Sequence, residues 1–97
     1  MKVRFFSFIQ RAAGTAEVEA EAGDVGTLIE ALCLRFGPAF REMVVEVRGP
    51  ADGPRLRPDV TVLVNGRNIH FLAGVTTPLR TGDEVVFIPP AAGVSGR

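Results

Sequence analysis

A chain of 97 residues has room for one domain and one core. Its 11 basic and 11 acidic residues cancel, which argues against a nucleic-acid partner, since that needs a basic face, and gives no attraction to an anionic membrane. Hydrophobic residues make up 46% of the chain, enough for a core without staples, and the single cysteine, Cys33, can make neither an internal disulfide nor, alone, a zinc or iron–sulfur site, which fits a reducing cytoplasm.

The opening Met1-Lys2-Val3-Arg4-Phe5-Phe6 enters a strand pattern directly, without the apolar stretch and cleavage site of a signal peptide. No apolar run nears the roughly 18 residues of a membrane span. Lys2 to Ile9, rich in β-branched and aromatic residues, predicts a first strand. Gly14 marks a turn. Thr15 to Glu21 then alternates, with Ala16, Val18 and Ala20 on one face and Glu17, Glu19 and Glu21 on the other, as a half-buried strand does. The two strands form an N-terminal hairpin.

Asp24 is suited to cap a helix whose apolar stripe, Val25, Leu28, Ile29, Leu32 and Phe36, recurs at helical spacing. Gly37-Pro38 stops that helix. Ala39 to Val45 predicts a short second helix or turn, and Arg48 to Pro58, with its prolines and glycines, an exposed loop. Val60, Val62 and Val64 mark another strand, and Asn65-Gly66 is a strong hairpin signal because both residues tolerate positive φ. Arg67 to Phe71 returns as a short edge strand. Thr81-Gly82-Asp83 turns into a last strand, Glu84 to Ile88, and Pro89-Pro90 ends pairing because neither residue can donate to a ladder. The order predicts a two-layer α+β domain over residues 1–90, a sheet of four to five strands with one main helix on one face. Residues 91–97 are small, glycine-bearing and unpatterned, and are expected to form a flexible tail.

This order, the segment Val62-Leu63-Val64-Asn65-Gly66-Arg67-Asn68-Ile69, and the ending from Leu79 through Thr81-Gly82-Asp83-Glu84-Val85 to Pro89-Pro90-Ala91-Ala92-Gly93 resemble the small subunit of molybdopterin synthase (MoaD) and the thiamine-pathway carrier ThiS. The resemblance implies a mixed-sheet, ubiquitin-like β-grasp and a carrier or cosubstrate rather than an enzyme. In that family the chain ends in two glycines. An E1-like adenylating enzyme of the MoeB/ThiF type activates the terminal carboxylate with ATP, and sulfur replaces the adenylate to give a thiocarboxylate. The tail then donates its sulfur inside an acceptor such as the molybdopterin synthase large subunit. Some relatives are instead joined to protein lysines. The carrier binds no cofactor and no metal of its own; ATP is used by the activating enzyme. The resemblance is closest to the molybdopterin branch. Glycine suits the task because it lets the backbone thread a narrow channel with no side chain in the way.

The ending departs from that pattern. Gly93 matches the first glycine of the family ending, but Val94 stands where the second should be, and Ser95, Gly96 and Arg97 follow. Three readings stay open: a peptidase exposes Gly96 or Gly93, the tail is inert on a non-covalent interaction module, or the recorded end is not native. Gly93 and Gly96 are therefore the candidate thiocarboxylate-bearing residues, each only after trimming.

Strand parity gives a candidate partner face. With Val85 and Phe87 toward the helix, Val86 and Ile88 lie on the opposite side with Glu84. With Val3 and Phe5 inward, Phe6 and Phe8 point outward. Phe6, Phe8, Val86 and Ile88 would then gather on the uncovered face beside Pro89 and Pro90, an apolar patch next to the tail. The family implies that this face and the tail together dock on the activating enzyme and the sulfur acceptor. Other features read as structural. Cys33 borders the helical stripe and reads as a core thiol. His70 lacks companions for a metal, the arginines Arg55, Arg57, Arg67 and Arg80 are ordinary surface charges, and Asn65-Gly66 is turn chemistry alone. A plant-type ferredoxin would need four cysteines, and an RNA-binding β-grasp domain a basic surface.

Overall fold

The chain runs β1 (Lys2–Phe5), α1 (Ser7–Ala13), β2 (Glu17–Glu19), α2 (Val25–Phe36), α3 (Pro38–Val44), β3 (Val45–Glu46), β4 (Arg55–Leu56), β5 (Thr61–Val64), β6 (Arg67–Asn68), two 3₁₀ turns (Ile69–Phe71 and Gly74–Thr76) and β7 (Glu84–Ile88) in a computed structural model that describes residues 1–47, 49, 51 and 53–90. The main sheet has the order β2-β1-β7-β5-β6. β1 and β7 are parallel at its centre, in the register Val3 to Val85 and Phe5 to Phe87. The pairs β1–β2, β5–β7 and β5–β6 are antiparallel. Among the described residues β3 and β4 form a separate small ribbon.

One sheet face carries Val3, Phe5, Val62, Val64, Val85 and Phe87, all buried. The helices cover it with Val25, Leu28, Ile29 and Leu32 from α2, Phe40 and Val44 from α3, and Ile9 from α1. The mixed sheet wrapped around α2 is the ubiquitin-like β-grasp expected from the element order.

Four local expectations are corrected. The strand predicted over Lys2 to Ile9 ends at Phe5. Ser7 takes φ +54°, outside any strand conformation, and the chain then coils into α1. Ile9 (i), Ala12 (i+3) and Ala13 (i+4) turn that helix toward the core. Gly14, at φ +78°, closes it, donating its N–H to Gln10 O at 2.9 Å. Phe8 is thus a helix residue and leaves the strand row to which parity assigned it. The strand predicted over Thr15 to Glu21 shortens to Glu17–Glu19. The edge strand predicted over Arg67 to Phe71 stops at Asn68, whose side chain accepts from the His70 N–H at 2.9 Å and starts a 3₁₀ turn. Within the predicted loop, Arg55–Leu56 pairs with Val45–Glu46. Arg48, Pro50 and Asp52 of that loop, and the tail 91–97, lie outside the described residues.

The expected main helix spans Val25–Phe36. Asp24 caps it, its Oδ1 accepting from the Thr27 N–H at 2.7 Å, and this bond holds the carboxyl below its ordinary range. Asp83 is held low by the Asn65 side-chain amide at 3.0 Å and then by the Arg80 N–H at 2.9 Å. A carboxyl with a depressed folded pKa contributes stability that is complete above its unfolded value, about 3.9, and is lost as pH falls through the folded value. The thermal midpoint should therefore hold from neutral pH down to about 5 and drop below about 4. The double replacement Asp24→Asn with Asp83→Asn removes both titrations and leaves one acceptor oxygen at each position, so one of the two bonds accepted by Asp83 is lost; it should lower the plateau and flatten part of that drop.

Asn65 and Gly66, at φ +52° and +84°, make the tight turn that joins β5 to β6. Asn65 does more than turn the chain. Its Nδ2 donates to Asp83 and its Oδ1 accepts the Glu84 N–H at 3.0 Å, so the β5–β6 hairpin is tied to the start of β7. A Cβ on Gly66 would meet nothing within 4 Å, so the cost of a side chain there is conformational. Gly66→Val should lower stability by about 1–3 kcal/mol in urea denaturation.

Candidate functional site

The second sheet face is built by the residues between the core positions. The register sets Lys2 beside Glu19 and Glu84, Arg4 beside Glu17 and Val86, Val86 beside Leu63, and Ile88 beside Thr61. β1 hands its last position to Phe6, whose N–H donates to Phe87 O at 3.2 Å, so Phe6 stands at the end of β7 where Ile88 and Pro89 leave the sheet. The Arg4 guanidinium lies 5.9 Å from the centre of the Phe6 ring and 3.5 Å from Glu84 Oε2. Lys2 Nζ sits 3.8 Å from Glu17 Oε2.

The outcome is an apolar stripe of Phe6, Ile88, Val86 and Leu63 with ion pairs along one side. Phe6 is 43% exposed; Leu63, Val86, Ile88 and Pro89 are half-buried and Pro90 exposed. Of the six described candidate positions, the structure brings together Phe6, Val86, Ile88 and the Pro89-Pro90 exit. Phe8 is not among them: it sits on α1, with the Arg11 guanidinium 5.7 Å from its ring centre. Gly93 and Gly96 lie outside the described residues. Leu63 was not anticipated, although the parity that turns Val62 and Val64 inward already sends it outward. Arg4 was not anticipated either, and the same parity in β1 was its signal.

A cleft of about 960 Å³ opens elsewhere, between α2, the β3–β4 ribbon and the 3₁₀ turns, with Glu30, Cys33, Arg41, Leu56 and His70 on its walls. Burial pushes the Cys33 thiol up against a smaller opposing pull from Arg41, so it stays protonated at neutral pH and is a poor nucleophile. Among the described residues no group of three or more His, Cys, Asp or Glu is placed to hold a metal ion, and no helix is long and apolar enough to cross a membrane.

Proteins similar to this chain include a small carrier and small modifiers. The chain is 34% identical to a candidate sulfur carrier protein of Archaeoglobus fulgidus, over 96% of this chain and 97% of that one. It is 32% identical to small archaeal modifier protein 3 of Haloferax volcanii, with the same coverage of each. Its fold superposes on the solution structure of small archaeal modifier protein 1 from Methanosarcina acetivorans with a TM-score of 0.84, at 31% identity, over 95% of this chain and 93% of that one. The sequence pattern of the ThiS family matches residues 3–93. The chain therefore belongs to the ThiS family, within the ubiquitin-like sulfur carriers and small archaeal modifiers.

Proposed function

We propose that this chain is a cytoplasmic sulfur carrier of the MoaD type, acting in molybdopterin biosynthesis after trimming of its C-terminus. A carboxylate is a poor electrophile. In the proposed cycle an E1-like enzyme of the MoeB/ThiF type joins the carboxylate of Gly93 or Gly96 to the AMP portion of ATP, releasing pyrophosphate. A sulfur nucleophile then displaces AMP to leave a thiocarboxylate. The thiocarboxylate delivers sulfur in an acceptor such as the molybdopterin synthase large subunit. The chain supplies no acid, base or metal to these steps; it supplies the acyl group and the surface that is held while the group reacts.

The observation that carries this reading is that β7 ends beside Phe6, so the segment bearing Gly93 and Gly96 starts from the apolar stripe. A partner gripping the stripe would hold the root of the reactive end. The family match covers residues 3–93, so it takes in Gly93 and leaves Gly96 outside. Intact mass of the protein from its own cells tests the trimming: a species ending at Gly93 or Gly96 supports it, and a population that retains Val94 through Arg97 contradicts it.

A second reading shares the chemistry. Two of the relatives are named as modifier proteins, so the activated glycine could instead be joined to lysine amines of other proteins. Isopeptide adducts in the same cells would favour that fate over sulfur transfer.

A further inference from the structure

The cleft between α2, the β3–β4 ribbon and the 3₁₀ turns takes no part in the proposed cycle. Its floor is apolar: Ile29, Cys33, Val60 and Ile69 are buried, and Val45 and Leu56 of the ribbon are half-buried. The second 3₁₀ turn closes on α2 at Gly26, where a Cβ would sit 3.3 Å from Val75 O. Three arginines stand on the walls, Arg41, Arg55 and Arg57. Two of them have acidic neighbours: Arg57 Nε lies 3.8 Å from Asp59 Oδ1, and Arg55 is paired across the ribbon with Glu46. Arg41, on α3, interacts with the Cys33 thiol, and among the described residues no carboxylate comes within ion-pair reach of it. One guanidinium is thus left facing an apolar floor. Of the two carboxylates on the walls, Asp24 is held by the Thr27 N–H at 2.7 Å, and Glu30 lies on α2 one turn before Cys33.

We propose that this cleft binds an apolar molecule that ends in a single carboxylate, of the class of a medium-chain fatty acid. A volume of about 960 Å³ lies within the range of small-molecule sites, which pair an apolar lining with a few polar groups that fix orientation. The apolar body covers the floor. The carboxylate meets Arg41, whose planar fork of N–H donors matches two carboxylate oxygens at once. Glu30 on the neighbouring wall sets the charge of the head: it repels a dianion such as a phosphate monoester about twice as strongly as a monoanion. A cationic head would meet Arg41 without compensation. None of Phe6, Leu63, Val86 and Ile88 lines the cleft, so the site is separate from the apolar stripe and the inference does not rest on the docking role of that face.

The test is titration of the full chain with decanoate, read by calorimetry and by amide chemical shifts, beside decylammonium, which carries the same chain and the opposite charge. Decanoate should bind at one site, shift the amides of Ile29, Cys33, Val45 and Leu56, and bind at least about tenfold tighter than decylammonium. Arg41→Gln should weaken decanoate by about tenfold or more with circular dichroism unchanged, since Arg41 is exposed on α3. Arg41→Lys, which keeps the charge but not the planar fork, should fall between Arg41→Gln and the unaltered chain. Phe6→Asp should bind decanoate as the unaltered chain does, which separates the cleft from the stripe. Four results would each overturn the proposal: no heat and no shifts up to about 1 mM decanoate, equal binding of the two amphiphiles, full affinity in Arg41→Gln, or shifts centred on Phe6, Val86 and Ile88.

Discussion

Phe6→Asp or Ile88→Asp leaves the domain folded and weakens binding to the adenylating partner by about a hundredfold or more. Phe6 is 43% exposed and stands outside the core cluster, so a carboxylate there remains in water in the free protein. In a complex that covers the stripe the same carboxylate would be buried without a partner, a cost that falls on binding alone. Arg4, already within reach of the Phe6 ring, would meet the new charge in the free chain and help it to stay folded. Phe8→Asp is the contrast: on α1 and away from the strand row, it should change binding far less. Calorimetry with the partner and circular dichroism of each variant read the two quantities separately. Unfolding of Phe6→Asp would mean that the inner and outer faces have been interchanged.

Phe5→Ala, one residue earlier, has the opposite outcome: a loss of about 3–5 kcal/mol of stability, a large part of the 5–15 kcal/mol that holds a small domain together. Phe5 is 1% exposed. Its ring centre lies 5.5 Å from that of Phe36, 5.6 Å from Phe40 and 5.8 Å from Phe87. One side chain thus joins β1, α2, α3 and β7, in edge-on or tilted geometries that add to area burial. Phe36 and Phe40 also touch each other, at 5.2 Å, but their contact cannot fill the space that Phe5 leaves between the helices and the central strands. Urea denaturation should show the midpoint falling with little change in slope. A loss below about 1 kcal/mol would contradict the packing described here.

The features legible in the sequence were those set by periodicity and by special backbone positions. The stripe from Val25 to Phe36 fixed α2 to the residue, because helical spacing and an Asp cap agree there. Asn65-Gly66 marked the β5–β6 turn because few residue pairs accept two successive positive φ values. Alternation in the last strand separated Val85 and Phe87 from Val86 and Ile88, as burial bears out.

What was missed lies where local composition and tertiary context disagree. Phe6, Phe8 and Ile9 favour a strand by type, and yet α1 forms. The spacing of Ile9, Ala12 and Ala13 buries a helical face that an extended chain would leave in water. The β3–β4 ribbon was invisible because Val45–Glu46 and Arg55–Leu56 are too short to show a pattern and are paired only across the intervening loop. Asn65 looked like turn chemistry alone because its bonds to Asp83 and Glu84 span 18 and 19 residues of sequence.

The central claim is that a glycine close to the end becomes an acyl donor while the sheet face beside its root is held. It is tested most directly by trimming the chain to Gly93, incubating it with ATP and an E1-like adenylating enzyme from the same cell, adding a sulfur donor, and weighing the product by intact mass. The account predicts an acyl adenylate that converts, on sulfur addition, to a species heavier by one oxygen-to-sulfur exchange, with the added mass on the C-terminal peptide. A chain that stays unchanged through both steps, with the enzyme active on another carrier, would contradict it.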